Sequence, residues 1–448
     1  MSVIGNIKEF FRSKHIQLAL VSGLSIIALA YVSKRVLAEP MGKLSTSFPA
    51  LIMALAEWIM GMKKRKWYAN KNLWIAAVAV STVMVIGWHM ATEGDVTGNP
   101  RMEKELQGIL DDFLEENSVA PGLSACVICP SLQLDWTGAS GRKAKGDAEP
   151  MTAAHTFRIA SNTKTYVAAA VLRLVEKGRL GLGESLDEHL SEEYDSLLRG
   201  DGYDTGKITI AQVLSHTAGL GDHTNDSLFV QRLFGDTMHV WTPQEQIRCL
   251  VEWREPVGEP GESYVYSDAG YIILGTIVVR LTGKPLGPAV RELLDFERLG
   301  LESTYWEYME EMPPGAGPRA HQYFGEVDVT AWHASFDLYG GGGIVTDSRE
   351  LALFIRKLLE GEVLAEDSTL LAMIEGGTQP YRLGLMALDC GGVEVLGHQG
   401  FWNTFAFHVP SLDVTVAGSI LNHEAANGRE LMCRLVKAVE SAAGFQEE

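Results

Sequence analysis

Cysteine is scarce in this chain: five residues among 448, Cys126, Cys129, Cys249, Cys390 and Cys433, an odd number scattered along the sequence. Such a set does not make a disulfide framework. The one tight pair, CVIC, lies within LSACVICPSLQLDW, whose apolar alternation reads as a strand. Its two thiols then point to opposite faces and serve as buried core residues, not as a zinc or redox pair. No H-E-x-x-H occurs, and the twelve histidines show no metal spacing, so no metal is implied. The absence of G-x-S-x-G argues against an α/β-hydrolase elbow. The run Gly340 to Gly343 lacks the Lys-Ser/Thr of a phosphate loop and reads as a tight bend before a helix, where Asp347 and Glu350 have capping-box spacing.

Positive charge is the other shortage, and it is uneven. Residues 1–100 hold eleven Lys/Arg against five Asp/Glu, a net of +6; with −19 for the whole chain, the remainder carries about −25. An acidic body of that size, with no basic stripe interleaved with aromatics, excludes nucleic acid as a partner.

Long apolar runs are confined to the start. Residues 16–32, 48–62 and 73–91 are apolar stretches; the third is long enough for a membrane helix, the first narrowly so, and the second contains Glu57. A cleaved signal peptide is the rival for the first, behind Lys8, Arg12 and Lys14, but no small-x-small cleavage site follows it cleanly, and more apolar segments come after. The expectation is a retained anchor over residues 1–91 with two or three transmembrane helices seated in the lipid bilayer. The cluster KKRKWYANK before the third stretch puts that end in the cytoplasm and the body on the extracytoplasmic side, periplasmic or extracellular; Lys34, Arg35 and Lys43 run against a three-span arrangement. Residues 92–100 turn polar and read as a linker, and 101–448 as one domain.

Within that domain, Arg101 to Glu116 is an amphipathic helix. LSACVIC and SLQLDWTGASG form a hairpin. Near the end, VEVLGHQG, NTFAFHVP and DVTVAGSILN are three strand-like runs, and Gly428 to Ala443 closes the chain as a helix. Strands at both ends with helices between predict an α+β fold: one antiparallel sheet flanked by helices, a mostly helical lobe, and a cleft between them.

Three short segments carry chemistry. RIASNTKTYVAAAVLRLVEKG, 158–178, reads as one amphipathic helix closed by a glycine, with Ser161 and Lys164 on a single face of its first turn. A serine hydroxyl is a poor nucleophile until a base takes its proton, and a neighbouring amine is one such base. Alone, S-x-x-K is more simply an N-cap. YSD at 266–268 leads into a helix ending at Gly283; extended backbone would put Tyr266 and Asp268 on one side. LGHQGF places His398 and Gly400 at the end of a strand, where a glycine admits a substrate and the N–H of Phe401 can point at a carbonyl oxygen.

S-x-x-K, then Y-S-D about a hundred residues on, then H-Q-G on a late strand, resemble in order and spacing the three signature elements of the serine β-lactamase and penicillin-binding-protein superfamily, closest to its class C and DD-peptidase branch. PGLSACVICPSLQLDWTGASG, ITIAQVLSHTAGL, YVYSDAGYIILG and GGGGIVTDSRELALFIRKLL look similar too, so the likeness spans roughly Met102 to Ala443. The resemblance implies a serine hydrolase without cofactor. Ser161 would be the nucleophile, Lys164 its proton partner and Tyr266 the general acid/base; the N–H groups of Ser161 and Phe401 would form an oxyanion hole, and His216 would fix a loop. Asp268 stands where the motif usually has Asn, and Gln399 where it often has Thr, which weakens the case for β-lactams and C-terminal D-Ala and fits an amidase, esterase or aminopeptidase better. A β-lactamase or D-Ala-D-Ala carboxypeptidase is the alternative within the superfamily; a non-catalytic penicillin-receptor-like or scaffold protein is the alternative outside enzymes. The expected substrate is small or peptide-like, with an amide or ester.

Overall fold

A computed structural model describes residues 99–444 except 379. These belong to the unit running from Thr97 to the C-terminus. The three apolar stretches lie outside the described residues, as do the expected anchor and most of the linker. Among the described residues, no helix is long and apolar enough to cross a membrane.

The chain begins with α1 (Pro100–Glu116), capped by the Asn99 side chain, which accepts from the Met102 N–H at 3.2 Å. Then come β1 (Gly122–Cys129) and β2 (Leu134–Gly141), paired antiparallel as the hairpin reading requires. A two-residue strand β3 (Phe157–Arg158) precedes α2 (Thr163–Glu176). The central lobe includes α3 (Pro243–Trp253), α4 (Asp268–Thr282) and α5 (Leu286–Leu294). Short strands β4 (Tyr305–Trp306), β5 (Tyr323–Phe324), β6 (Val327–Asp328) and β7 (Ile344–Thr346) follow, then α6 (Ser348–Leu359) and α7 (Asp367–Glu375). The chain closes with β8 (Met386–Asp389), β9 (Glu394–Gly400), β10 (Thr404–Val409), β11 (Val414–Ile420) and α8 (Gly428–Gly444).

The two ends share one six-stranded antiparallel sheet in the order β2-β1-β11-β10-β9-β8. Alternation along β1 decides which face each residue serves. Leu123, Ala125, Val127 and Cys129 join the core beneath α1 and α8, whereas Cys126 and Ile128 join the core shared with α2, α4 and α6. The CVIC thiols are therefore buried on opposite faces, as the alternation predicts.

Four expectations need correction. The predicted helix from Arg158 starts later: Phe157 and Arg158 pair with Thr346 and Val345 of β7, Ala160–Asn162 is a single 3-10 turn, and α2 proper begins at Thr163. Helical periodicity cannot register a strand partner nearly two hundred residues away. Gly178 does mark the end, with φ +63°. Secondly, Cys390 and Cys433 form a disulfide that joins the end of β8 to α8. Thirdly, Asp347 caps α6 through the N–H groups of Arg349 and Glu350, but the Glu350 carboxylate turns away to accept from Glu302, Ser303 and Thr304, so the capping box is only half formed. Lastly, the glycine run bends into β7 before α6 begins, with Gly340 and Gly343 at φ +128° and +115°.

Candidate active site

Ser161 sits in the 3-10 turn between β3 and α2, and that turn is pinned from three sides. The Ile159 N–H donates to Ile344 O at 3.0 Å. The buried Asn162 side chain donates to Ile159 O and to Thr404 Oγ1, and Thr404 Oγ1 in turn donates to Ile159 O at 2.9 Å. Ala160 adopts φ +47°, an uncommon backbone for a residue with a Cβ. Gly400 explains how β9 comes so close: a Cβ there would meet Ile159 O at 2.2 Å and Thr404 Oγ1 at 2.3 Å. The glycine expected to admit substrate thus admits the Ser161 turn itself. Arg158 anchors the other end, with its guanidinium buried against Glu307 and donating to the carbonyls of Val329 and Trp332.

Lys164 is fully buried, and its three ammonium protons have three acceptors: Ser161 Oγ at 2.9 Å, Gly341 O at 2.7 Å and the Asp268 carboxylate. The glycine run supplies one of them, and a Cβ at Gly341 would stand 2.9 Å from Asp268 Oδ1. Asp268 is the first residue of α4, and its neighbour Ser267 is the cap, accepting from the Gly270 N–H. Burial works against an ionised Asp268, but the Lys164 ammonium, the Lys164 hydrogen bond, His223 and Thr224 outweigh it and hold the carboxyl below its ordinary range.

The Tyr266 ring lies 5.0 Å from the Lys164 ammonium and packs on His216 at 4.3 Å. Burial, and then the Asp268 charge, push its phenol well above the ordinary tyrosine range, with a side-chain contact to Ser161 acting in the opposite direction. Tyr266 therefore keeps its proton. His216 receives the Ser267 N–H on Nδ1 at 3.1 Å, and so fixes the segment that carries Tyr266 and Asp268.

Ser161, Tyr266, Asp268, Gly400 and Phe401 all line one cleft of about 610 Å³. Lys164 is fully buried and lies outside the lining of the cleft, in contact with Ser161. His398 does not line it. Its Nδ1 sits 2.7 Å from Gln399 O, which can only accept, so that nitrogen carries the proton; Nε2 is then the acceptor for the Tyr381 hydroxyl at 2.8 Å. Burial pushes His398 down to about 3, so this ring is neutral and structural. The neighbouring Gln399 faces the cleft instead.

Sequence reasoning missed Asp222, Thr224 and Asn225, which also line the cleft. They follow the quoted VLSHTAGL directly, but nothing in their spacing announces a site. Thr224 Oγ1 lies 3.0 Å from Asp222 and 3.1 Å from Asp268, and its one proton serves one carboxylate at a time. At the mouth, Phe401 is 52% exposed and stacks on His423 at 4.1 Å, which stacks on Phe324 at 5.1 Å. The lining holds two aspartates and no lysine or arginine. Another concavity of about 600 Å³, around Arg142, Lys145 and Asp147, includes none of these groups. Among the described residues no His/Cys/Asp/Glu group could hold a metal ion.

A family model described as Beta-lactamase matches residues 109–427. Similar curated proteins include Esterase EstB of Burkholderia gladioli, 31% identical over 197 residues, covering 42% of this chain and 48% of that one. N-acetylmuramyl-L-alanine amidase of Bacillus subtilis (strain 168) is 29% identical over 240 residues, covering 45% and 49%. The chain spans about half the length of the curated relatives it matches. Among solved structures, the D-stereospecific amidohydrolase from Streptomyces sp. is 27% identical with TM-score 0.62, over 73% of this chain and 96% of that one. The D-amino acid amidase from Ochrobactrum anthropi SV3, complexed with D-phenylalanine, shares the fold at 23% identity, TM-score 0.65, over 76% and 99%.

Proposed function

Because this chain belongs to the Beta-lactamase family and is a serine hydrolase, we propose that it cleaves amide or ester bonds through an acyl-enzyme on Ser161, as a membrane-anchored amidase, peptidase or esterase. The contact of Lys164 Nζ with Ser161 Oγ in the cleft carries this reading. Attack needs the pair one proton short: Lys164 as the free amine takes the Ser161 proton as Oγ attacks, Tyr266 gives its proton to the departing amine or alkoxide, and Lys164 reprotonates Tyr266. The acyl–oxygen bond forms, the acyl–nitrogen or acyl–oxygen bond to the leaving group breaks, and the pair ends as it began. The N–H groups of Ser161 and Phe401 would hold the oxyanion, at about 3–4 kcal/mol per donor. Water or another acceptor then takes the acyl group.

The cleft's charge favours amidase or esterase action over removal of a C-terminal residue with a free carboxylate. No cationic side chain lines it, His398 is neutral, and Asp268 and Gln399 replace the groups that would bind a carboxylate. The relatives named for amide and ester substrates support the same choice. For location, the Cys390–Cys433 bond and the basic run before the third apolar stretch support an active domain on the extracytoplasmic side. The test is fluorophosphonate labelling of the detergent-solubilised full chain with turnover of a short ester. Labelling and turnover are expected in the wild type and lost in Ser161→Ala; labelling that persists in the variant refutes the assignment.

A further inference from the structure

Asp222 differs from the other acid in the cleft. Only 7% exposed, it accepts from the Thr224 N–H at 3.2 Å, from the Thr224 hydroxyl at 3.0 Å and from the Asn225 side-chain amide at 2.9 Å. All three donors are neutral. Asp268 has Lys164; among the described residues Asp222 has no ion-pair partner, and burial together with the Asp268 charge pushes its carboxyl up to about 7. A carboxylate buried without a cation is costly, and this one lies on the wall of the catalytic cavity. A second observation points the same way. Gln399 Oε1, on the same cavity, is buried with no donor from the protein. Of the two acids on this cavity, Asp268 is answered by Lys164, whereas Asp222 has no lysine or arginine beside it in the lining.

We propose that Asp222 selects substrates bearing a positive charge: amides or esters whose acyl part carries a free ammonium. This rests on the hydrolase reading above and narrows it to a substrate class. An ammonium at Asp222 would donate a charge-assisted hydrogen bond and hold the carboxyl ionised. A neutral acyl group would leave Asp222 to take up a proton instead. A carboxylate-bearing substrate would face the Asp222 carboxylate with no cation in the lining to offset it.

The experiment uses the full chain in detergent with two chromogenic probes, phenylalanine p-nitroanilide (both enantiomers) and 3-phenylpropionyl p-nitroanilide, which lacks only the amine. The expected preference in kcat/KM for the better enantiomer is ~10–100-fold, the scale of one charge-assisted bond. Asp222→Asn should collapse that ratio by about tenfold or more, chiefly through KM, and Asp222→Glu should restore part of it. A wild-type ratio near one, or a ratio that Asp222→Asn leaves intact, overturns the proposal. Should Asp222→Asn not fold, wild-type inhibition decides: 2-phenylethylamine should bind about tenfold or more tightly than 2-phenylethanol, and equal binding overturns it. Ser161-dependent turnover of the neutral anilide keeps the hydrolase reading standing even if the preference is absent.

Discussion

Replacing Lys164 by Met tests the electrostatics of the site apart from its chemistry. Met keeps most of the side-chain volume but leaves Asp268 without its ammonium. Breaking one partner out of a buried pair costs about 3–5 kcal/mol. With unfolding entropy of ~2.1 cal/mol/K per residue over roughly 350 residues, about 0.7 kcal/mol/K, Tm should fall by roughly 4–7 °C at pH 8. The pH dependence fixes the cause. In the wild type the Asp268 carboxyl is held below its ordinary range, so the pair's contribution is present above the unfolded value of 3.8 and is lost as pH falls through the folded one. In Lys164→Met burial is opposed only by His223 and the Thr224 hydroxyl, the folded value is expected to rise above the unfolded one, and the sign reverses: stability falls as pH climbs from about 4 to 8. The deficit against wild type should therefore widen from pH 5 to pH 8 in differential scanning fluorimetry. Adding Asp268→Asn, which can still meet the Thr224 hydroxyl, should recover most of the Tm at pH 8 and none of the turnover. A Lys164→Met Tm within about 1 °C of wild type at pH 8, or a double variant no more stable than the single, would refute this account.

Three further outcomes are expected. Tyr266→Phe should lower kcat by ~10²–10⁴-fold with little change in Tm, because it removes a proton donor and no buried charge. Gly400→Ala should cut kcat/KM by about 10²-fold and slow fluorophosphonate labelling, since its methyl would displace the Ile159–Ser161 turn; unchanged labelling would show that the contact yields. Reducing the Cys390–Cys433 bond, which closes 43 residues, should cost about 3–4 kcal/mol, read as a lower urea midpoint with dithiothreitol than without.

The sheet was legible because alternation is local: β1, β2, β9, β10 and β11 each announce themselves in a few residues, and a terminal glycine or turn bounds them. Ser161, Lys164 and Tyr266 were legible through the order of three motifs, and the structure brings them together with Asp268. What stayed hidden depends on partners distant in sequence. Arg158 becomes a strand residue only because β7 lies beside it, and Cys390 finds Cys433 only after β8 and α8 have docked. His398 was expected to contact substrate, yet Tyr381, seventeen residues earlier, turns its ring away. Asp222 carries no motif; its meaning comes from the charge that surrounds it.

The strand order has a consequence for biosynthesis. Ser161, Lys164 and Tyr266 all leave the ribosome before β9 and β10, which complete the cleft, and β11, the strand that joins β1 to β10, is among the last elements made. A nascent chain halted anywhere between α4 and β9 holds every reacting group but lacks the wall that pins the nucleophile turn. The cleft, and with it the turn that presents Ser161, is thereby completed only when synthesis is nearly finished.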